Sequence, residues 1–159
     1  MKRMLAAFIA IMTMAACEDK LALDPKKVNH IEYAFHDSSV PPPYHRSYNV
    51  KVEPDFIRLS VDSYGDILVD TTFENTTEAF QQLIELINNS KLISGENKSE
   101  PGCTGGTSEE LIIFEDDKKV YAGYFENCGG NKASKIFGDY ESVISAIKEM
   151  VPNLSTYLK

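Results

Sequence analysis

Between Asn29 and Phe73 the chain alternates apolar and polar residues four times over, and this period of two constrains the fold more than anything else in the sequence. Ile31, Tyr33 and Phe35 alternate with His30, Glu32 and Ala34; Tyr48, Val50 and Val52 alternate with Asn49 and Lys51. Ile57, Leu59 and Val61 alternate with Arg58 and Ser60, and Ile67, Val69, Thr71 and Phe73 complete a fourth run. Successive side chains of a strand point to opposite sides, so each run has one apolar face. Turns at Pro54-Asp55 and at Asp62-Ser63-Tyr64-Gly65-Asp66 are short enough to join antiparallel neighbours. The link between the first two runs is different. Pro41, Pro42 and Pro43 remove three backbone donors in a row, which predicts an exposed polyproline-type loop rather than a strand.

At Asn75 the period changes to 3.6. Asn75 is the expected N-cap, with Glu78 three residues on, and Phe80, Leu83, Ile84 and Ile87 share one helix face opposite Gln81, Gln82 and Glu85. Residues 94–108 read as a long polar loop. Residues 111–114 and 120–125 are apolar strands joined across Asp116-Asp117-Lys118, and a turn at Asp117 sets Phe114 opposite Val120 and Ile112 opposite Ala122. A second helix begins after Gly138 with Asp139 as N-cap. It carries Tyr140, Val143, Ile144, Ile147 and Val151 on one face and stops at Pro152. Leu154, Tyr157 and Leu158 of the tail are expected to dock on the domain. The predicted fold is one α+β domain over residues 29–159: an antiparallel sheet, in the order four strands, helix, two strands, helix, with both helices on one face.

Ahead of the domain, Lys2 and Arg3 precede thirteen uncharged residues, and Met14-Ala15-Ala16-Cys17 closes that run before Glu18, Asp19 and Lys20. A basic start, a short apolar stretch and small residues before a cut make a secretory signal peptide over residues 1–16. The apolar run is shorter than the about 20 residues needed to cross a bilayer. Its last four residues resemble the lipobox of bacterial lipoproteins, with Met14 where that family usually has leucine. The resemblance implies a diacylglycerol group on the thiol of Cys17, a mature chain that begins there, and a domain facing an oxidising compartment outside the cytoplasm, on either the inner or the outer membrane. Residues 17–28, polar with one proline, then read as a lipidated tether.

Within that resemblance Cys103 and Cys128 are the two cysteines left, and they are expected to form the domain's one disulfide. The hairpin between them brings position 128 opposite about 106, so the two sulfurs converge without a detour. Closing the loop would stabilise the domain by about 3.5 kcal/mol on the chain-entropy model.

Loss of Lys2 and Arg3 with the signal moves the formal charge from −8 to −10. Such acidity repels phosphate backbones, so nucleic acid is not an expected partner; a protein partner is, together with the membrane through the lipid. No cofactor and no metal are expected. His30, His36 and His45 with Asp37 lack tight ligand spacing and read as solvated side chains. His36-Asp37-Ser38 holds three triad residue types as sequence neighbours, whereas a triad is assembled in space from separated elements. Glu109, Glu110, Asp116 and Asp117 fall at strand ends and turns, where carboxylates are usually hydrated. Asp62, Asp66 and Asp70 do not have EF-hand spacing. The glycine pairs at 105–106 and 129–130 lack the lysine and helix of a phosphate loop. The candidate contact surface is Pro41, Pro42, Pro43, Tyr44, His45 and Arg46, a preformed segment with an aromatic and a cation that loses little entropy on docking. The expectation is non-catalytic binding of another macromolecule, of inhibitor or immunity type. A small envelope hydrolase with a spatially assembled site, and a carrier of a small ligand or metal, are the alternatives.

Overall fold

A computed structural model of the chain describes residues 21–97, 105–128, 131–132 and 138–159. Residues 1–20, with the signal peptide and Cys17, lie outside the described residues, as do Cys103, Gly129 and Gly130. The elements are β1 (Val28–His36), β2 (Ser47–Val52), β3 (Phe56–Ser63), β4 (Asp66–Glu74), α1 (Thr77–Asn89), β5 (Gly95–Asn97), β6 (Thr107–Glu115), β7 (Lys118–Cys128), β8 (Asn131–Lys132), α2 (Tyr140–Glu149) and α3 (Leu154–Tyr157). The chain is α+β, as the periodicities predict.

All eight strands join one sheet in the order β4-β3-β2-β1-β6-β7-β5, with β8 also on β7. The alternation explains the assembly directly, because register lines up the apolar sets. Phe73, Ile57, Val52, Ile31, Ile113 and Tyr121 form one row across six strands; Thr71, Leu59, Val50, Tyr33, Leu111 and Gly123 form the next. Both rows face the helices. Phe80, Leu83, Ile84 and Ile87 of α1 and Tyr140, Val143, Ile144 and Ile147 of α2 are buried against them, as the 3.6 spacing predicts. Each such aliphatic side chain contributes about 1.5–3 kcal/mol by leaving water. A slip of one residue would turn a whole strand's apolar set outward, so this register is strongly fixed. The tail docks as expected: Leu154, Tyr157 and Leu158 pack on the core, and Tyr157 meets Phe73 edge to face at 5.9 Å.

The two helices meet end to end at Gly138. Its φ of +101° suits glycine, and a Cβ there would lie 2.3 Å from the Ser90 carbonyl oxygen. Asp139 then donates its backbone N–H to that same Ser90 oxygen at 2.7 Å and caps α2 by accepting from the Ser142 N–H at 3.3 Å.

Several expectations need correction. The sheet is mixed rather than wholly antiparallel, because β5, inside the predicted loop, pairs parallel to β7. Leu92, fully buried, draws the chain against β7, and Ser94 Oγ accepts from the Ala122 N–H at 3.3 Å. Gly95-Glu96-Asn97 has no strand propensity, so packing sets this strand. The N-cap of α1 is Thr76, whose hydroxyl accepts from the Ala79 N–H; Asn75 instead donates its side-chain amide to the Glu53 carbonyl at 2.6 Å and ties the helix to the β2–β3 turn. In the β6–β7 hairpin Ile112 faces Ala122 as expected, but Phe114 faces Lys119, because a bulge at Val120 intervenes. A bulge at Leu68 likewise reverses the start of β4: Ile67 pairs with Asp62 on the open face and is 62% exposed rather than buried with Val69 and Phe73. Part of the expected tether also belongs to the domain. Leu23 is buried, its backbone bonded to both ends of the Asn88 amide, and the Asp24 N–H donates to Glu115.

Cys128 ends β7 and is disulfide-bonded. It is the one cysteine among the described residues. The antiparallel register runs on to Thr107 opposite Asn127, which brings position 128 beside 106.

Candidate functional site

The proline loop rises from one end of the sheet, and its base is closed by Asp37. One carboxylate oxygen of Asp37 accepts from the Ser38 N–H at 2.8 Å and the other from the Arg46 N–H at 2.9 Å, while the Asp37 N–H donates to Ser47 Oγ at 3.0 Å. The loop is not the extended polyproline segment predicted. Pro41 has polyproline angles, but residues 42–44 make one 3-10 turn, with the Tyr44 N–H donating to Pro41 O at 2.9 Å and the His45 N–H to Pro42 O at 3.3 Å. Proline favours this: its fixed φ suits the first positions of a helical turn, where the missing N–H is not needed.

The β3–β4 turn clamps the loop from the side. Ser63 Oγ donates to Pro42 O at 2.9 Å, Tyr64 OH donates to Val40 O at 2.6 Å, and the His45 and Tyr64 rings stack with centroids 4.0 Å apart. The six predicted contact residues therefore divide. Pro41, Pro42, Pro43 and Tyr44 are exposed, Tyr44 by 74%. His45 is buried, contrary to the expected solvated histidine, because its ring fills the space under Tyr64. Arg46 is half-buried and holds the tail, donating from Nε and one Nη to the Lys159 backbone oxygen at 3.2 and 3.1 Å. So four residues present a surface and two fix it. Tyr64, Ile67 and Leu68, exposed on the adjoining hairpin tip, enlarge that surface at the same end of the sheet. The alternation in the sequence predicts Ile67 in the core and does not mark Tyr64 as part of a surface. The usable signal was the two-residue turn Tyr64-Gly65, since a bulge beside a tight turn reverses the alternation.

The remaining candidates disperse. His30 stacks on Phe114 at 4.2 Å with Glu32 3.6 Å from its Nε2, His36 ends β1 in solvent, and His45 sits beneath Tyr64. Among the described residues no group of three His, Cys, Asp or Glu side chains is placed to hold a metal ion. His45 Nε2 is 3.4 Å from Ser47 Oγ, yet its other ring nitrogen has no partner, so no carboxylate orients it as a base, and both residues are buried. The carboxylate of Asp37 serves the backbone. Asp62 accepts from the Gly65 N–H, and Asp70 is held by Arg58 through two bonds of 2.8 and 2.7 Å, which lowers its pKa chiefly by hydrogen bonding. Asp117 accepts from the Asn29 side chain.

Glu109 and Glu110 alternate in β6 and face opposite sides of the sheet, so they cannot act as a pair. Glu109 points to the helix side, where it accepts from Tyr33 OH at 2.8 Å and meets Lys148 Nζ of α2 at 3.4 Å. Lys148 also lies 5.2 Å from the Tyr33 ring centroid. Burial, then the neighbouring Tyr48 and Glu109, push Tyr33 far above the usual tyrosine range; burial pushes Tyr140 up as well and Tyr121 up to about 12. These hydroxyls stay protonated at neutral pH; that of Tyr33 is bonded to Glu109, and those of Tyr121 and Tyr140 are buried with no hydrogen-bond partner among the described residues. The alternation Glu109, Leu111, Ile113 in the sequence marks Glu109 as core-facing rather than as a hydrated strand-end carboxylate.

A shallow polar groove of about 210 Å³ opens between Ser39 and the open end of the β6–β7 hairpin, lined by Gly105, Gly106, Ser108, Tyr124 and Glu126. Tyr124 OH donates to Glu126 at 3.1 Å. Among the described residues its lining has a carboxylate and no cation, which does not suit a phosphate. Among the described residues no helix is long and apolar enough to cross a membrane. No protein-family model matches the chain, and no curated protein matches it.

Proposed function

We propose that this chain is a bacterial envelope lipoprotein, anchored through acyl groups on Cys17, that works by binding another macromolecule rather than by transforming a substrate. The observation that carries the binding role is the clamped, solvent-facing ridge of Pro41, Pro42, Pro43 and Tyr44 beside exposed Tyr64: rigid aromatic surface fixed in advance loses little entropy on docking. The lipobox-like Met14-Ala15-Ala16-Cys17 supports the anchor, and two or more acyl chains give the stable attachment that one does not. An acidic protein that blocks a basic one, in the manner of an inhibitor or immunity protein, fits the charge of −10 after export. The Cys103–Cys128 pairing belongs to this proposal. Cys128 is disulfide-bonded, Cys17 is assigned to lipid in this reading, and the register brings position 128 beside 106, three residues along the sequence from Cys103.

The test is affinity purification from detergent-solubilised envelopes, with intact mass measured on the native product. A mature chain beginning at acylated Cys17 and one specific protein partner are expected. An unacylated Cys17, or repeated recovery of no partner, would refute the proposal.

A further inference from the structure

Strand β4 borders the sheet and, among the described residues, pairs with β3 alone. Beyond the bulge at Leu68, six of its residues, from Val69 through Glu74, pair regularly with β3, so the strand's other side offers a row of backbone donors and acceptors to a further strand. The β3–β4 hairpin carries Asp62, Asp66, Asp70 and Glu74 against one cation, Arg58, and that cation is already bound to Asp70. At the tip of the same edge Tyr64 is 57%, Ile67 62% and Leu68 48% exposed, and Tyr44, 74% exposed, belongs to the loop that Tyr64 clamps.

A second copy of the chain is a poor occupant of this edge. Antiparallel self-pairing centred on Asp70 sets Asp70 against Asp70, and β4 contains no lysine or arginine to relieve it. The same acids attract a strand of opposite charge. We infer that β4 and its apolar tip dock an extended basic segment of a protein partner, which adds as a strand to the sheet edge and seats apolar side chains against Tyr44, Tyr64, Ile67 and Leu68. This rests on the binding role proposed above and names the surface and the partner's chemistry. Backbone pairing along the edge supplies affinity, and the spacing of the carboxylates selects lysine or arginine on the incoming strand.

Fluorescence anisotropy with the full chain in detergent tests it, using a labelled ten-residue peptide of alternating lysine and valine and a matching peptide of alternating glutamate and valine. The basic peptide is expected to bind and the acidic one not. Ile67→Ser with Leu68→Ser, and separately Asp66→Lys, are each expected to weaken binding about fivefold or more. Glu85→Lys, on the exposed side of α1, is expected to change it less than about twofold. These side chains are in solvent, so an unchanged urea midpoint shows that the variants fold. No binding, or equal weakening by Glu85→Lys, overturns the inference, as does a dimer in sedimentation that Leu68→Ser abolishes, which would make the occupant a second copy. A native partner that the Ile67→Ser/Leu68→Ser chain still retains also overturns this surface while leaving the binding role standing; failure of the unmodified chain to retain any partner removes the binding role itself.

Discussion

The β3–β4 and β6–β7 hairpins use one backbone device for two purposes. Each turns in two residues with both φ values positive, Tyr64 and Gly65 in one (54° and 93°) and Asp116 and Asp117 in the other (48° and 60°), as a type I′ turn requires. Each then admits one extra apolar residue in its second strand, Leu68 or Val120. The surroundings differ. The β6–β7 tip shows Asp116, Asp117, Lys118 and Lys119 to solvent and is tied to the start of β1 by the Asp116 N–H on Lys27 O. The β3–β4 tip shows Tyr64, Ile67 and Leu68 and clamps the proline loop instead. Backbone geometry alone is satisfied by the charged version, so the apolar residues at the β3–β4 tip are not needed for the turn. That contrast supports the proposed contact surface at the β3–β4 tip.

The comparison breaks first if the exposed tip proves to be core. Ile113→Ala in β6, fully buried, is expected to lower unfolding free energy by about 2–5 kcal/mol in urea titrations. Ile67→Ala in β4 is expected to change it by less than about 0.5 kcal/mol. Equal losses would place Ile67 in the interior.

Next in size is Glu109. Its replacement by alanine removes the carboxylate to which Tyr33 OH donates and the counter-ion of Lys148, at a cost of about 1–3 kcal/mol.

The buried tyrosines give a pH signature confined to the helix-covered face. The folded state holds Tyr121 protonated up to about 12 against 10.0 when exposed, with Tyr33 and Tyr140 shifted in the same direction. A raised pKa stabilises the fold fully below pH 10, and that stability is lost as pH rises from 10 toward 12. Unfolding midpoints should therefore fall over that interval, and absorbance at alkaline pH should show these three hydroxyls ionising only on unfolding. Early ionisation would contradict their burial.

Smaller still are the turns. Gly65→Ala, at a φ of 93°, is expected to cost about 1 kcal/mol, whereas Asp116→Gly, at 48°, should be close to neutral, because relief of the left-handed backbone offsets the greater freedom of glycine in the unfolded chain. An equal cost at both would show that the turns differ in kind.

Much of this fold was legible in the sequence because burial and periodicity are the same fact seen twice. Tyr33, Val50, Leu59 and Leu111 alternate because one face of their strands is covered, and Phe80, Leu83, Ile84 and Ile87 recur at helical spacing because one side of α1 lies on the sheet. The misses arise where one residue is out of phase or where packing overrides propensity. Leu68 inserts an extra residue and turns Ile67 outward; Leu92 pulls a weak strand onto β7; Asn75 has a better partner in Glu53 O than in its own helix. The proposed contact surface was half legible. Three prolines announce an exposed loop, but what clamps it, His45 under Tyr64 and Ser63 on Pro42 O, is set by contacts between segments far apart in sequence.

The two bulge positions allow the most direct test. A photo-crosslinking phenylalanine derivative is placed at Leu68 in one chain and at Val120 in another, and both are irradiated in intact cells. A discrete protein adduct at position 68 and none at 120 is the expected result. Adducts of equal yield at both positions, or at 120 alone, would contradict a contact surface at the β3–β4 tip.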